Sequence, residues 1–143
     1  MKIKRRGSAT WQGGLKDGKG ALTTESGALN AYPYGFASRF EGQRGSNPEE
    51  LLAAAHAGCF TMALSLILAE AKWTAEKMET TAIVTLEQID GNYVITSSHL
   101  MLNAKIPGAD QARFEQLANK AKANCPVSKL FKAEITLEAK LIS

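Results

Sequence analysis

Nineteen consecutive residues, Leu51 to Ala69, carry no charge. A run of this length approaches the ~20 residues of a membrane span, so it has to be buried somewhere. Its alanine content and its interruptions at His56, Gly58, Thr61 and Ser65 favour burial in protein. So do its flanks, because Glu49, Glu50 and Glu70 bracket it and no basic, cytoplasm-facing bias adjoins it. Asn47 suits the N-cap of a helix here, Pro48 the first helical position, and Glu49 and Glu50 the positive end of the dipole. From Leu52 onward Ala55, Cys59, Met62 and Leu66 share one stripe, with Phe60, Leu64, Ile67 and Leu68 on the other side. A helix that is apolar almost all round should be covered on most faces.

The rest of the chain has to supply that cover. Its 143 residues suit one domain, 1–143, with one sizeable core. A strand is expected over Ile3–Trp11 and another over Gly20–Glu25, with residues 26–47 as a long, loop-rich stretch. Ala82, Val84 and Leu86 alternate up to Ile89, Asp90-Gly91 makes a two-residue hairpin loop, and Val94–Leu102 returns. Asp110 can cap a second helix with the stripe Phe114, Leu117, Ala118 and Ala121. Ile135, Leu137, Ala139 and Leu141 alternate with polar residues, as expected for a half-buried antiparallel strand. The expectation is an α+β fold of segregated strands around a central helix.

The net charge of +3 sets 17 basic against 14 acidic residues, which leaves little field for nucleic acid. The one basic cluster, Lys2, Lys4, Arg5 and Arg6, has no interleaved aromatic to stack a base and reads as a solvated strand edge. No apolar run follows it, so no secretory signal is expected and the cytoplasm is the expected compartment. Two cysteines there argue against a structural disulfide framework.

Chemistry centres on those cysteines. Cys59, within His56-Ala57-Gly58-Cys59-Phe60, is either a small core side chain or a nucleophile. As a nucleophile in mid-helix it gains nothing from the helix N-terminus and needs a nearby cation. Gly58 weakens the helix unless something approaches the backbone closely. Cys125 precedes Pro126 and so stands near an N-cap, where the dipole favours a thiolate. Their separation excludes a Cys-x-x-Cys motif, and His56 and His99 offer no zinc spacing. His56 shares the face of Cys59, but no orienting third residue is identifiable, which favours a satisfied core histidine. Arg39, among apolar neighbours, is either a surface ion-pair partner, for instance of Glu41, or a functional cation.

Three blocks carry a resemblance: Tyr34-Gly35-Phe36-Ala37-Ser38-Arg39-Phe40-Glu41-Gly42; Ser46-Asn47-Pro48-Glu49-Glu50-Leu51 through His56-Ala57-Gly58-Cys59-Phe60 to Ala63-Leu64; and Cys125-Pro126-Val127-Ser128-Lys129. Over nearly the whole chain the sequence resembles the osmotically inducible / organic hydroperoxide resistance peroxidase family, in its osmotically inducible branch. The resemblance implies an intertwined homodimer, long central helices between curved antiparallel sheets, and reduction of organic hydroperoxides without metal, haem or flavin. It matches Cys59 to the peroxidatic cysteine, Cys125 to the resolving cysteine, Arg39 to the activating arginine and Glu49 to its carboxylate partner. Arg44 and Glu50 stand close enough to compete for the ion-pair roles. Phe36, Phe60 and Met62 would keep the site apolar for an alkyl or lipid hydroperoxide. A dithiol reductant of lipoyl type is implied, and neither nucleic acid nor membrane is an expected partner. A peroxide-sensing redox switch and an acyl-chain-binding module with inert cysteines are the rival classes.

Overall fold

Short alternating segments and tight turns build the first unit of the chain, residues 1–51, into a small antiparallel sheet. The structure, a computed structural model, describes residues 1–142. Strands β1 (Gly7–Gln12), β2 (Lys19–Thr24) and β3 (Tyr32–Tyr34) pair in that order, all antiparallel. Gly20 is required by close approach: a Cβ there would stand 2.4 Å from the Tyr34 ring and 2.7 Å from the Trp11 ring. The two rings meet edge-on at 5.5 Å across the strand that position 20 vacates. Lys2, Lys4, Arg5 and Arg6 are exposed and precede β1, so they flank the strand and do not form its edge. The stretch expected to be loop also holds β3 and a short helix, α1 (Phe36–Phe40), followed by a bridge from Tyr34 to Ser46. Three-residue strands and five-residue helices are too short for hydrophobic periodicity to declare them.

The long helix α2 (Pro48–Glu70) starts where its cap predicts, with the Asn47 side-chain oxygen accepting the Glu50 amide at 2.8 Å. From Leu52 onward the chain forms the second unit. Strands β4 (Lys77–Ile89) and β5 (Asn92–Lys105) make a long hairpin through Asp90 and Gly91, whose φ of 51° and 81° give the turn that matches strand twist. Asp110 caps α3 (Gln111–Asn124) by accepting the Arg113 amide at 2.8 Å. Helix α4 (Pro126–Leu130) follows at once, then strand β6 (Glu134–Ile142).

β6 corrects the sequence reading: it pairs with β5 in parallel, Ser98 opposite Ile135 through Lys105 opposite Ile142. Alternation reports half-burial, which β6 has, but not direction. Direction is set by the connection, and α3 with α4 is a crossover long enough to return the chain to the starting end of β5.

Phe60, Leu64, Ile67 and Leu68 of α2 pack into one core with Leu100, Leu102 and Ala104 of β5 and Phe114, Ala118 and Ala121 of α3. Fully burying each large side chain contributes about 1.5–3 kcal/mol. The opposite side of α2 is bare, with Met62 78% and Leu66 64% exposed. The expected cover on most faces is therefore met on one face by this chain.

Candidate active site

The core face of α2 ends beside Cys59, which is half-buried, one position before the fully buried Phe60. Cys125 has no exposed surface. It is the joint between two helices, donating its amide to the Ala121 carbonyl at 2.9 Å as α3 ends, while Pro126 takes the first position of α4. That joint sets the Cys125 thiol and the Val127 amide beside Cys59, near enough for both to act on the charge of its sulfur. Both thiols are free. Burial pushes the Cys59 thiol up from its ordinary pKa, the adjoining Cys125 thiol adds to this, and the Val127 amide opposes it.

A groove of about 560 Å³ opens at Cys59, walled by Met62, Ala63, Leu66 and Ile67 on α2, with Pro126 opposite and Glu70 and Lys120 among its polar lining. A larger one of about 870 Å³ runs from Ala57 and Gly58 past Trp73 to Thr80 and contains neither cysteine. Of the three expected apolar contacts, Met62 lines the Cys59 groove. Phe60 belongs to the core with no exposed surface. Phe36 lies in the first unit, its ring 5.0 Å from that of Phe40.

Also in the first unit, Arg39 and Glu49 form an ion pair, Nη2 donating to Oε1 at 2.7 Å and Nε at 3.1 Å. The guanidinium carbon lies 5.4 Å from the Phe40 ring centroid. Glu50, the competing carboxylate, accepts from the Ser46 hydroxyl at 3.0 Å. The Glu41 alternative for Arg39 is thus replaced by Glu49.

His56 is a core histidine with both ring nitrogens engaged, Nδ1 with the Ser98 hydroxyl at 2.6 Å and Nε2 with the Ser128 hydroxyl at 2.8 Å. Sequence reasoning anticipates the histidine but neither serine. One signal is present for Ser98: it shares its strand face with Leu100, Leu102 and Ala104, all buried, and a hydroxyl at a core register position needs a partner.

The family model of OsmC-like proteins matches residues 40–140, a span that includes both cysteines and the Cys125-Pro126 joint. Peroxiredoxin OsmC of Escherichia coli (strain K12) is 52% identical over 143 residues, all of both chains. Organic hydroperoxide resistance protein OhrB of Bacillus subtilis is 29% identical over 123 residues, 85% of this chain and 88% of that one. The crystal structure of the same OhrB superposes with a TM-score of 0.71 at 28% identity, over 96% of this chain and 98% of its own. An OsmC-like protein of Vibrio cholerae shares the fold at 16% identity, with a TM-score of 0.75 over 96% of this chain and 99% of its own. By fold, by the matched span and by identity over its full length, this chain belongs to the OsmC-like protein family.

Proposed function

We propose that the protein is a thiol peroxidase that reduces organic hydroperoxides to alcohols. The observation that carries this reading is a second thiol, Cys125, held beside Cys59 where Cys59 lines an apolar groove. The names of the relatives, peroxiredoxin and organic hydroperoxide resistance protein, point the same way. The Cys59 thiolate attacks the terminal peroxide oxygen, the O–O bond breaks, and the alcohol leaves with a proton as Cys59 becomes a sulfenic acid. The Cys125 thiol then condenses with it to a disulfide and water, and an external dithiol returns both thiols. No metal, haem or flavin takes part.

The surroundings of Cys59 favour the protonated thiol, so the reaction needs a cation. We assign that role to Arg39, aligned by Glu49, with Phe36 and Met62 keeping the approach apolar. We also assign a homodimer, in which a second copy covers the bare side of α2, and treat 1–143 as one functional domain.

Steady-state consumption of tert-butyl hydroperoxide and of hydrogen peroxide, each with dithiothreitol or dihydrolipoamide, tests the reading. The organic peroxide should be consumed faster, and Cys59→Ser should reduce turnover to background. Arg39→Ala should raise the pH midpoint of Cys59 alkylation by about one to three pH units. Lys120→Ala, which removes a cation that lines the groove, is the control and should leave the midpoint in place. Normal turnover in Cys59→Ser would overturn the assignment.

A further inference from the structure

His56 lies one helical turn before Cys59, yet neither of its nitrogens serves a thiol. Both are bonded to serine hydroxyls in a site where the ring has no exposed surface, with Phe131 edge-on at 5.2 Å. The imidazole thereby joins three segments distant in sequence: α2, β5 through Ser98, and α4 through Ser128.

The α4 connection matters most. A five-residue helix has little stability of its own. Ser128 is its one buried residue, Val127 packs half-buried on the core and Leu130 is 72% exposed, so a polar bond adds to a single apolar contact in anchoring α4. The segment so anchored begins at Cys125 and includes Val127, the two residues whose groups act on the Cys59 sulfur. Cys59 and the anchor of its partner segment are thus mounted on one helix, a turn apart.

We propose that His56 and Ser128 are positioning residues for disulfide formation, their hydrogen bond holding the start of α4 so that the Cys125 thiol is presented to Cys59. This rests on the peroxidase reading for the origin of the sulfenic acid. In the step concerned, the Cys125 sulfur attacks the Cys59 sulfur, the S–S bond forms and the S–O bond breaks. The hydroxyl leaves with the Cys125 proton as water, so no further oxidant is consumed. His56 accepts no proton from either thiol and acts through α4.

Two measurements on the full-length protein separate the steps. Stopped-flow oxidation by tert-butyl hydroperoxide gives the rate of attack on Cys59 and the rate of the condensation that follows. Reaction with 2,2′-dithiodipyridine bypasses peroxide: Cys59 releases one thiopyridone as it forms a mixed disulfide, and Cys125 releases the second by displacing it. Ser128→Ala should slow condensation, and the second release, by about tenfold relative to attack, the loss of one buried hydrogen bond. It should also raise the fraction of Cys59 sulfinic acid. Ser128→Thr, which keeps the hydroxyl, should restore both. Ser98→Ala removes the other bond to the ring but leaves the α4 anchor, so it should lower stability while sparing the condensation rate. If Ser128→Ala does not fold, a histidine pair makes the same comparison. His56→Gln reaches as far as Nε2 and should retain the rate, whereas His56→Asn reaches only as far as Nδ1 and should lose it. Equal condensation rates in wild type and folded Ser128→Ala, or equal slowing by Ser98→Ala, would overturn the proposal. Failure of wild-type Cys59 to react with the hydroperoxide would instead overturn the peroxidase reading, with the thiopyridone releases still reporting the tie.

Discussion

A neutral imidazole bonded to two hydroxyls has one nitrogen that donates and one that accepts. Adding a proton to the buried His56 turns the acceptor into a donor, and the serine that was donating to it loses its acceptor. Burial accordingly holds the His56 pKa below its ordinary 6.5. The folded state then binds fewer protons than the unfolded one as pH falls below that value. The stabilisation is fully present above about pH 6.5 and is lost on acidification through the lower folded pKa. Urea unfolding of wild type and His56→Gln at several pH values between 7.5 and 5 is the check. The wild-type midpoint should drop further on acidification than that of the variant, and parallel drops would refute the assignment. Side-chain chemistry is only partly legible in the sequence. The two cysteines, Arg39 and Glu49 are singled out by the resemblance, since residue type and setting alone leave a plain structural role open for each. The histidine's partners are less legible: Ser98 is marked only by its register position on a buried strand face and Ser128 by nothing local, because a serine acquires its role only from the group that folding brings to it. The Val127 amide is more hidden still, since every residue but proline has one.

Segments are legible where capping and turn chemistry is local. Asn47-Pro48, Asp90-Gly91, Asp110 and Cys125-Pro126 each end or begin an element at the position their side chains favour. Asp110 offers a clean measure of this. Its carboxylate satisfies the otherwise unpartnered Arg113 amide, so Asp110→Ala should cost about 1 kcal/mol, whereas Asp110→Asn should cost a few tenths. Chemical denaturation distinguishes them, and equal losses would mean that the cap contributes nothing specific. Where pattern and structure part, the causes lie beyond local chemistry. β3 and α1 are too brief to show a period, and β6 runs parallel to β5 because a crossover decides its direction. Core membership is legible for Phe60, Leu64, Ile67 and Leu68, because spacing along α2 fixes which side chains share a face. Which of the two apolar faces the chain itself covers is not, since spacing does not say what lies opposite.

The uncovered face is where the whole molecule has to be considered. Met62 and Leu66 are exposed, and a Cβ added at Gly58 would meet nothing within 4 Å beyond its own turns of α2. Judged from one copy, Gly58→Ala should stabilise the helix by ~1 kcal/mol, since alanine outranks glycine at an exposed helical position. If a second copy lies on this face, the new methyl group meets the partner. Gly58→Ala should then weaken association measured by sedimentation at nanomolar to micromolar concentration, and wild type should sediment as a dimer. A wild-type monomer across that range, with Gly58→Ala simply more stable, would refute the dimer. The place of Cys125 within the crossover has a further consequence in time. A ribosome adds about 5–20 residues per second, so Cys59 emerges several seconds before Cys125, its resolving partner in the proposed reaction. Parallel pairing of β5 with β6 closes a long stretch of chain and is itself a slow class of contact. If the proposed peroxidase reading holds, a newborn chain meeting peroxide in that interval has a nucleophile without a rescuer. Irreversible oxidation of Cys59 should therefore mark molecules by when they were made, and pulse-labelled cells stressed during synthesis should carry more of it than cells stressed after a chase.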